Sequence, residues 1–193
     1  MGLRVLLVDD DPERAAMLEA ALGASGCAVI GRADSACDLL QRVRESQPDV
    51  IVIDQESPDR DTLEHLCLVT RDAPRPIVLF TQEKDPARMR AALKAGVSAY
   101  VVDGLSAERV RAVVDVAMTR FEEHEALKRE LRTARTSLAE RKRIERAKGM
   151  VMKSRGVCED EAYRLLRKLA MERNQKLAQV AESVIAAAEL LTS

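Results

Sequence analysis

The sequence predicts an α/β protein: a (βα)5 doubly wound parallel sheet, followed by a long coiled-coil helix and a small three-helix bundle. Three observations predict it. Short runs of Val, Ile and Leu, apolar at successive positions, recur five times in the N-terminal part, as strands buried on both faces require. Segments of helical spacing alternate with them, and that alternation gives a parallel sheet with its sites at the carboxyl ends of the strands. Beyond the fifth run, proline is absent from Ala107 to about Lys153 and glycine is absent until Gly149, so the helix that starts there meets no stop.

The elements follow in order. Strand Leu3–Val8 precedes a helix over Glu13–Leu22, and strand Cys27–Ile30 precedes one over Ser35–Glu45. Strands Val50–Ile53 and Ile77–Phe80 lead into helices Asp61–Thr70 and Pro86–Ala95, and strand Ala99–Val102 leads into a helix from Ser106 onward. In that last helix Val110, Val114, Ala117, Phe121, Leu131 and Leu138 keep a 3-4 spacing, the seam of a dimeric coiled coil, interrupted by His124, Lys128 and Arg135. The same pattern also fits a single amphipathic helix lying on its own protein. A turn at Ser154-Arg155-Gly156 leads to helix Glu159–Met171, and a turn near Asn174 leads to helix Gln175–Leu191. Gly156 ends the first of these three helices, Glu159, Asp160 and Glu161 suit the N-terminal dipole of the second, and Asn174 reads as N-cap of the third. Their core is expected from Ile144, Val151, Ala162, Leu165, Leu166, Leu169, Leu177, Val180, Ala181, Val184 and Ile185. The domain plan is 1–120 for the sheet, 107–140 for the connector and 138–193 for the helical tail.

Composition narrows the function. Hydrophobic residues make up 47% and charged residues 33% of the 193, enough for a core and for solubility. No apolar run approaches the roughly 18 to 20 residues of a membrane span, and the start MGLRVLLVDDD turns acidic too soon for a signal peptide. A cytoplasmic protein is expected, with no membrane partner. Cys27, Cys37, Cys67 and Cys158 are widely spaced and the histidines are only His65 and His124, which argues against a zinc site, a disulfide framework or a Cys/His nucleophile. The four aromatics, Phe80, Tyr100, Phe121 and Tyr163, are too few for a sheet that stacks bases.

The net charge of −1 hides an asymmetry. Residues 1–105 carry 12 Lys/Arg against 18 Asp/Glu, residues 106–140 carry seven of each, and residues 141–193 carry 12 against seven. The acidic part holds a constellation. Asp9 and Asp10 follow the first strand in VLLVDDD, and Asp54 follows the third in VIVIDQESP. Parallel strands deliver these carboxylates to one rim, where they repel one another unless a cation or proton intervenes. Oxygen-only ligation suits Mg²⁺, which in turn helps a carboxylate accept a phosphoryl group. Thr81, ending the fourth strand in IVLFTQ, places a hydroxyl against such a group. The alternative is that these acids simply cap helix N-termini, as Asp11 before Pro12 does.

VLLVDDD, VIVID, LFT and five β/α units together resemble a response-regulator receiver domain over about residues 1–120. The resemblance implies Asp9 and Asp10 as metal-side acids, Asp54 as phospho-acceptor and Thr81 as switch hydroxyl. It also implies a lysine after the fifth strand, paired with the phosphoryl oxygens. In AYVVDGL that position is Asp103. An anion there removes a charge-assisted contact and adds repulsion, roughly 4 kcal/mol for unit charges about 4 Å apart at an effective dielectric near 20. Phosphorylation is therefore not expected to be the switch, and control through a protein partner is.

From Arg141 to Arg155 stand seven basic residues against one acid, Glu145. Such density meets phosphate backbones, although a charge run is more often a solvated helix face. RKRIERAKGMVMKSRGVCEDEAYRLLRKLAMERNQKLAQVAESVI is similar to the ANTAR family of RNA-binding antitermination domains, over nearly all of 138–185. Cys158 stands where a hydroxyl often caps the second helix. The resemblance implies a transcription antiterminator that binds paired hairpins in leader RNA, acts on RNA polymerase indirectly and has no turnover of its own; the seam points to a homodimer when active. ESPDRDTLEHL and AYVVDGL look most like the nitrate-assimilation regulators of the NasT type, held inactive by a nitrate- or nitrite-sensing protein. On that reading RNA is met by Lys142, Arg146 and Lys148 from the first tail helix, Arg164, Arg167 and Lys168 from the second, and Asn174 and Lys176 at the last turn. Tyr163 is expected to pack in the core rather than to stack a base. No cofactor is required, and Mg²⁺ is the one candidate for the acid pocket. Two other classes compete: a DNA-binding response regulator switched by aspartyl phosphate, with a helix in the major groove, and a scaffold whose basic tail binds an acidic protein.

Overall fold

The structure, a computed structural model, describes residues 2–36, 38–102 and 107–192. Five parallel strands, β1 (Leu3–Asp9), β2 (Cys27–Ala33), β3 (Val50–Asp54), β4 (Ile77–Thr81) and β5 (Ala99–Val102), form one sheet in the order β2-β1-β3-β4-β5. The helices between them are α1 (Pro12–Ala24), α2 (Leu39–Ser46), α3 (Arg60–Asp72) and α4 (Pro86–Ala95), and α5 (Ala107–Arg155) follows the sheet.

Alternation along each strand splits the apolar residues between two cores. Val5, Leu7, Val50, Val52, Val78 and Phe80 face Ala15, Leu18 and Leu22 of α1 and Val110, Val114 and Ala117 of α5. Leu6, Val8, Ile51, Ile53, Ile77 and Leu79 face α2, α3 and α4. Both faces are covered, which is why the strands read as unbroken apolar runs. Three helices start on an aspartate that accepts backbone N–H bonds: Asp11 for α1, Asp59 for α3 and Asp85 for α4. Gly96 closes α4 at φ 104, where a Cβ would strike Thr70. The edge strand β2 runs three residues beyond Ile30, because the pairing skips one residue between Val29 and Gly31 and then continues through polar Arg32.

The coiled-coil seam needs correction at its start. Val110, Val114 and Ala117 are fully buried against the sheet, so these positions serve the α/β core and not a partner helix. Leu127, Leu131 and Leu138, farther along α5, are more than half exposed.

The chain divides into two compact units, Met1–Glu125 and Ala126–Ser193, with the boundary inside α5. In the second unit α6 (Glu159–Glu172) and α7 (Leu177–Thr192) pack with the end of α5. Ala147, Leu166, Ala170, Val180 and Ala181 form the core, flanked by Ile144, Val151, Leu169, Leu177, Val184 and Ile185. Gly156 takes a left-handed φ of 66 and ends α5 through its N–H on the Met152 carbonyl. Asn174 is not the N-cap of α7. It is left-handed at φ 50 and closes α6; α7 starts at Leu177, where the Gln179 side chain accepts the Lys176 N–H at 3.0 Å. Tyr163 lies outside this core and is 41% exposed. Among the described residues no helix is long and apolar enough to cross a membrane.

Candidate functional sites: an acid pocket and a basic helical face

In the first unit the neighbouring strands β1 and β3 end flush, with Asp9 beside Asp54 in register. Both carboxylates are buried, whereas the Asp10 side chain is 64% exposed. Their partner comes from the next helix. Asp11 caps α1 and Pro12 fills its first position, which fixes the first turn and brings Arg14 back over the strand ends. The guanidinium of Arg14 lies 2.8 Å from Asp9, 2.7 Å from Asp10, 3.3 Å from Asp54 and 3.9 Å from Glu56. Asp9, Asp10 and Asp54 are brought together around Arg14, an arginine that sequence reasoning missed. Its one signal was its place, four residues after Asp10 on a helix, a spacing that also describes any surface ion pair.

Asp54 is the strained member. Burial pushes its carboxyl up to about 6, against the pull of Arg14. Its Oδ2 is within ion-pair distance of Arg14 Nε but accepts no hydrogen bond. Arg14 itself is held above its ordinary value, first by its hydrogen bond to Asp9. An orphaned carboxylate oxygen beside two further carboxylates fits a hard divalent cation, with Asp9, Asp10 and Asp54 as the residues that would hold it. As they stand, no three acid, His or Cys side chains among the described residues are arranged to hold a metal ion. The same strand ends open onto a cavity of about 220 Å³ bordered also by Asp34, Ser35, Asp59 and His65.

Thr81 ends β4, buried, and donates to the Glu56 carbonyl at 2.8 Å while accepting the Glu83 N–H at 3.1 Å. Tyr100 of β5, which had no assigned role, donates to the Glu83 carbonyl at 3.0 Å. These bonds tie the β3–α3 and β4–α4 loops beside the pocket. Asp103 lies outside the described residues.

In the second unit Lys142, Arg146, Arg164, Arg167, Lys168, Asn174 and Lys176 are all exposed. Arg167, Asn174 and Lys176 come together around an open concavity of about 420 Å³ where α6 meets α7, lined also by Ala170, Met171 and Gln175. Arg146 and Lys168 also make ion pairs, to Glu189 at 2.6 Å and Glu172 at 3.9 Å. Lys148 differs from the rest. It is 7% exposed, and its Nζ donates to Glu145 and to Glu159, at 2.9 and 2.6 Å. These two hydrogen bonds clamp the start of α6 onto α5 and pair the charge within the unit. Cys158, at the N-cap of α6, makes no side-chain capping bond, so this clamp secures a helix start that lacks a cap.

Comparison with known proteins follows the same division. The response regulator receiver domain matches residues 5–115, more than half of the chain, and the ANTAR domain matches residues 132–185. The transcriptional regulatory protein PdtaR of Mycobacterium tuberculosis is 29% identical over 94% of this chain and 89% of its own length. The DNA-binding response regulator MtrA of Mycolicibacterium smegmatis is 32% identical, but over only 65% of this chain and 55% of its own. A two-component response regulator of the LuxR family from Aurantimonas sp. SI85-9A1 superposes with a TM-score of 0.55 at 25% identity, covering 62% of this chain and 86% of that one. The chain therefore belongs to the response regulator receiver domain family and joins that domain to a C-terminal ANTAR domain.

Proposed function

We propose that this response regulator is a transcription antiterminator: its ANTAR domain binds paired hairpins in leader RNA and promotes readthrough of nitrate and nitrite assimilation genes. A nitrate- or nitrite-sensing protein holds it inactive and releases it when the ligand binds. The observation that carries the RNA reading is the exposed cluster of Arg167, Asn174 and Lys176 around one concavity, on a face that also presents Arg164 and Lys168. Hairpin loops offer splayed bases and phosphates, and guanidinium planes, an amide and ammonium groups meet both without a stacking sheet. Lys142 and Arg146 stand exposed on α5 as further candidate contacts, Arg146 already paired with Glu189. Lys148 acts in this reading as a positioning residue. The nitrate assignment rests on the resemblance of ESPDRDTLEHL and AYVVDGL alone.

The active form is a homodimer, with Leu131 and Leu138 as the exposed remainder of the seam and the exposed Leu127 added to it. The DNA-binding alternative is weaker, because the similarity to MtrA covers only about two thirds of this chain, whereas PdtaR matches along nearly all of it. A gel-shift series with hairpins from the operon's own leader and with duplex DNA, over a range of salt, tests the reading. Preference for hairpins, with affinity falling steeply as salt rises, is expected. Preference for duplex, or salt-insensitive indifference to both, rejects it.

A further inference from the structure

We propose that Arg14 is the resident counter-ion of the acid pocket and competes with a divalent cation for Asp9, Asp10 and Asp54, so that the cation enters only as the guanidinium leaves. The argument starts from Asp9. Its Oδ1 accepts three bonds, from the Asp11 N–H at 2.9 Å and from Arg14 Nε and Nη2 at 3.2 and 2.8 Å. A carboxylate oxygen has two lone pairs, so this one has none to spare. The same Nη2 donates to Asp10 Oδ1 at 2.7 Å, and Nε faces Asp54 Oδ2 at 3.3 Å. A hard cation such as Mg²⁺ needs those oxygens at roughly 2.0 to 2.1 Å in a near-octahedral shell. Arg14 donates to both oxygens of Asp9 and to one of Asp10, and it faces one of Asp54, so a cation shared by the three carboxylates meets the guanidinium at each of them.

The exchange asks little of the backbone. The Arg14 N–H, like that of Glu13, is fixed on the Asp11 cap at the start of α1. Only the side chain has to swing, and it is already 24% exposed, so a solvent side is open to it. With Arg14 in place the pocket is partly neutralised without metal, and Asp54 Oδ2 is left with an ion pair but no hydrogen bond. The arginine therefore sets the concentration of cation at which the pocket loads.

Calorimetric titration of the full chain with MgCl₂ tests this, comparing wild type with Arg14→Gln and Arg14→Met. Both variants are expected to bind Mg²⁺ about tenfold more tightly, or to bind it where wild type does not. Nitrogen-15 spectra of the arginine Nε–H groups supply an independent reading on the unaltered protein. There the Arg14 signal is expected to move to the position of a free arginine as Mg²⁺ saturates. Equal or weaker affinity in folded variants overturns the proposal. So does an Arg14 signal that stays fixed while Mg²⁺ binds, or failure of every protein to bind Mg²⁺. If neither variant folds, the wild-type spectra and titration decide alone.

Discussion

Arg14 and Lys148 solve the same electrostatic problem at opposite ends of the chain, each a single cation set among carboxylates. Arg14 faces Asp9, Asp10, Asp54 and Glu56, and Lys148 faces Glu145 and Glu159. Neither role is legible in sequence, because an arginine four residues after an aspartate, or a lysine in a basic run, looks like any surface charge. What separates them is burial, and burial is decided by the packing of other elements. Replacing Lys148 tests the difference. Lys148→Gln removes the bonds that hold the uncapped start of α6, so it should lower the melting temperature of the helical unit and reduce RNA affinity only through that loss. Lys142→Gln should leave the melt unchanged and weaken RNA binding directly; melts and gel shifts on both variants separate the two effects. Asp54 gives the second residue-scale prediction. Its folded value of about 6 lies above the ordinary carboxylate range near 4, so the fold favours the neutral form. Stability from this group is complete below about pH 4 and is lost as pH rises through 6, a loss on the order of 3 kcal/mol by pH 8. Asp54→Asn should therefore raise the melting temperature at pH 8 and flatten its dependence between pH 4 and 7, measured by thermal melts across that range.

At the scale of elements, α5 does three jobs along one uninterrupted helix. Its first turns cover the sheet through Val110, Val114 and Ala117, its middle exposes Leu127, Leu131 and Leu138, and its end supplies Ile144, Ala147 and Val151 to the helical core. The heptad reading merged the first two jobs because an apolar stripe at 3-4 spacing looks the same whether a sheet or another helix covers it. The β/α alternation was legible for the opposite reason: strands covered on both faces leave continuous Val, Ile and Leu runs with no other common explanation. Boundaries were less legible where a local irregularity decided them, as at the skipped residue in β2 or the left-handed Asn174. The convergence of Asp9 and Asp54 followed from strand order, but the arginine between them and the tie of Thr81 to Glu56 depend on loop geometry. The divided α5 makes a prediction. Leu131→Asp should abolish self-association in sedimentation equilibrium and leave the α/β unit's melt unchanged, because Leu131 lies outside its core. Val114→Asp should instead unfold that unit, since it buries a charge where a fully enclosed valine stood. If Leu131→Asp still associates like wild type, the exposed leucines are not the dimer seam.

For the whole molecule, the charge division assigns RNA binding and regulation to different ends of the chain. Residues 1–105 carry a net −6 and residues 141–193 a net +5, so the attraction of a polyanion rests on the C-terminal unit. The N-terminal pocket already holds its own cation, and the position after β5 that would steady a phosphoryl group is an aspartate, Asp103. On the proposed function, these features favour release by a partner over phosphoryl transfer to Asp54 as the means of control. Asp54→Asn keeps the size of the side chain, removes the phospho-acceptor and relieves the cost of a buried charge. It should therefore leave hairpin affinity unchanged, together with the slope of log affinity against log salt. Removing cations in the C-terminal unit should act on that slope: each of Arg167→Ala and Lys176→Ala should flatten it by roughly 0.7 if the lost group met one phosphate of a single-stranded loop. Transcription readthrough with purified polymerase and the leader template provides the second measurement. Asp54→Asn is expected to read through as well as wild type, while the double variant Arg167→Ala, Lys176→Ala is expected to terminate. Loss of readthrough in Asp54→Asn, with its melt intact and its hairpin affinity normal, would show that the acceptor carboxylate itself carries the signal, and would return control to phosphorylation in spite of Asp103.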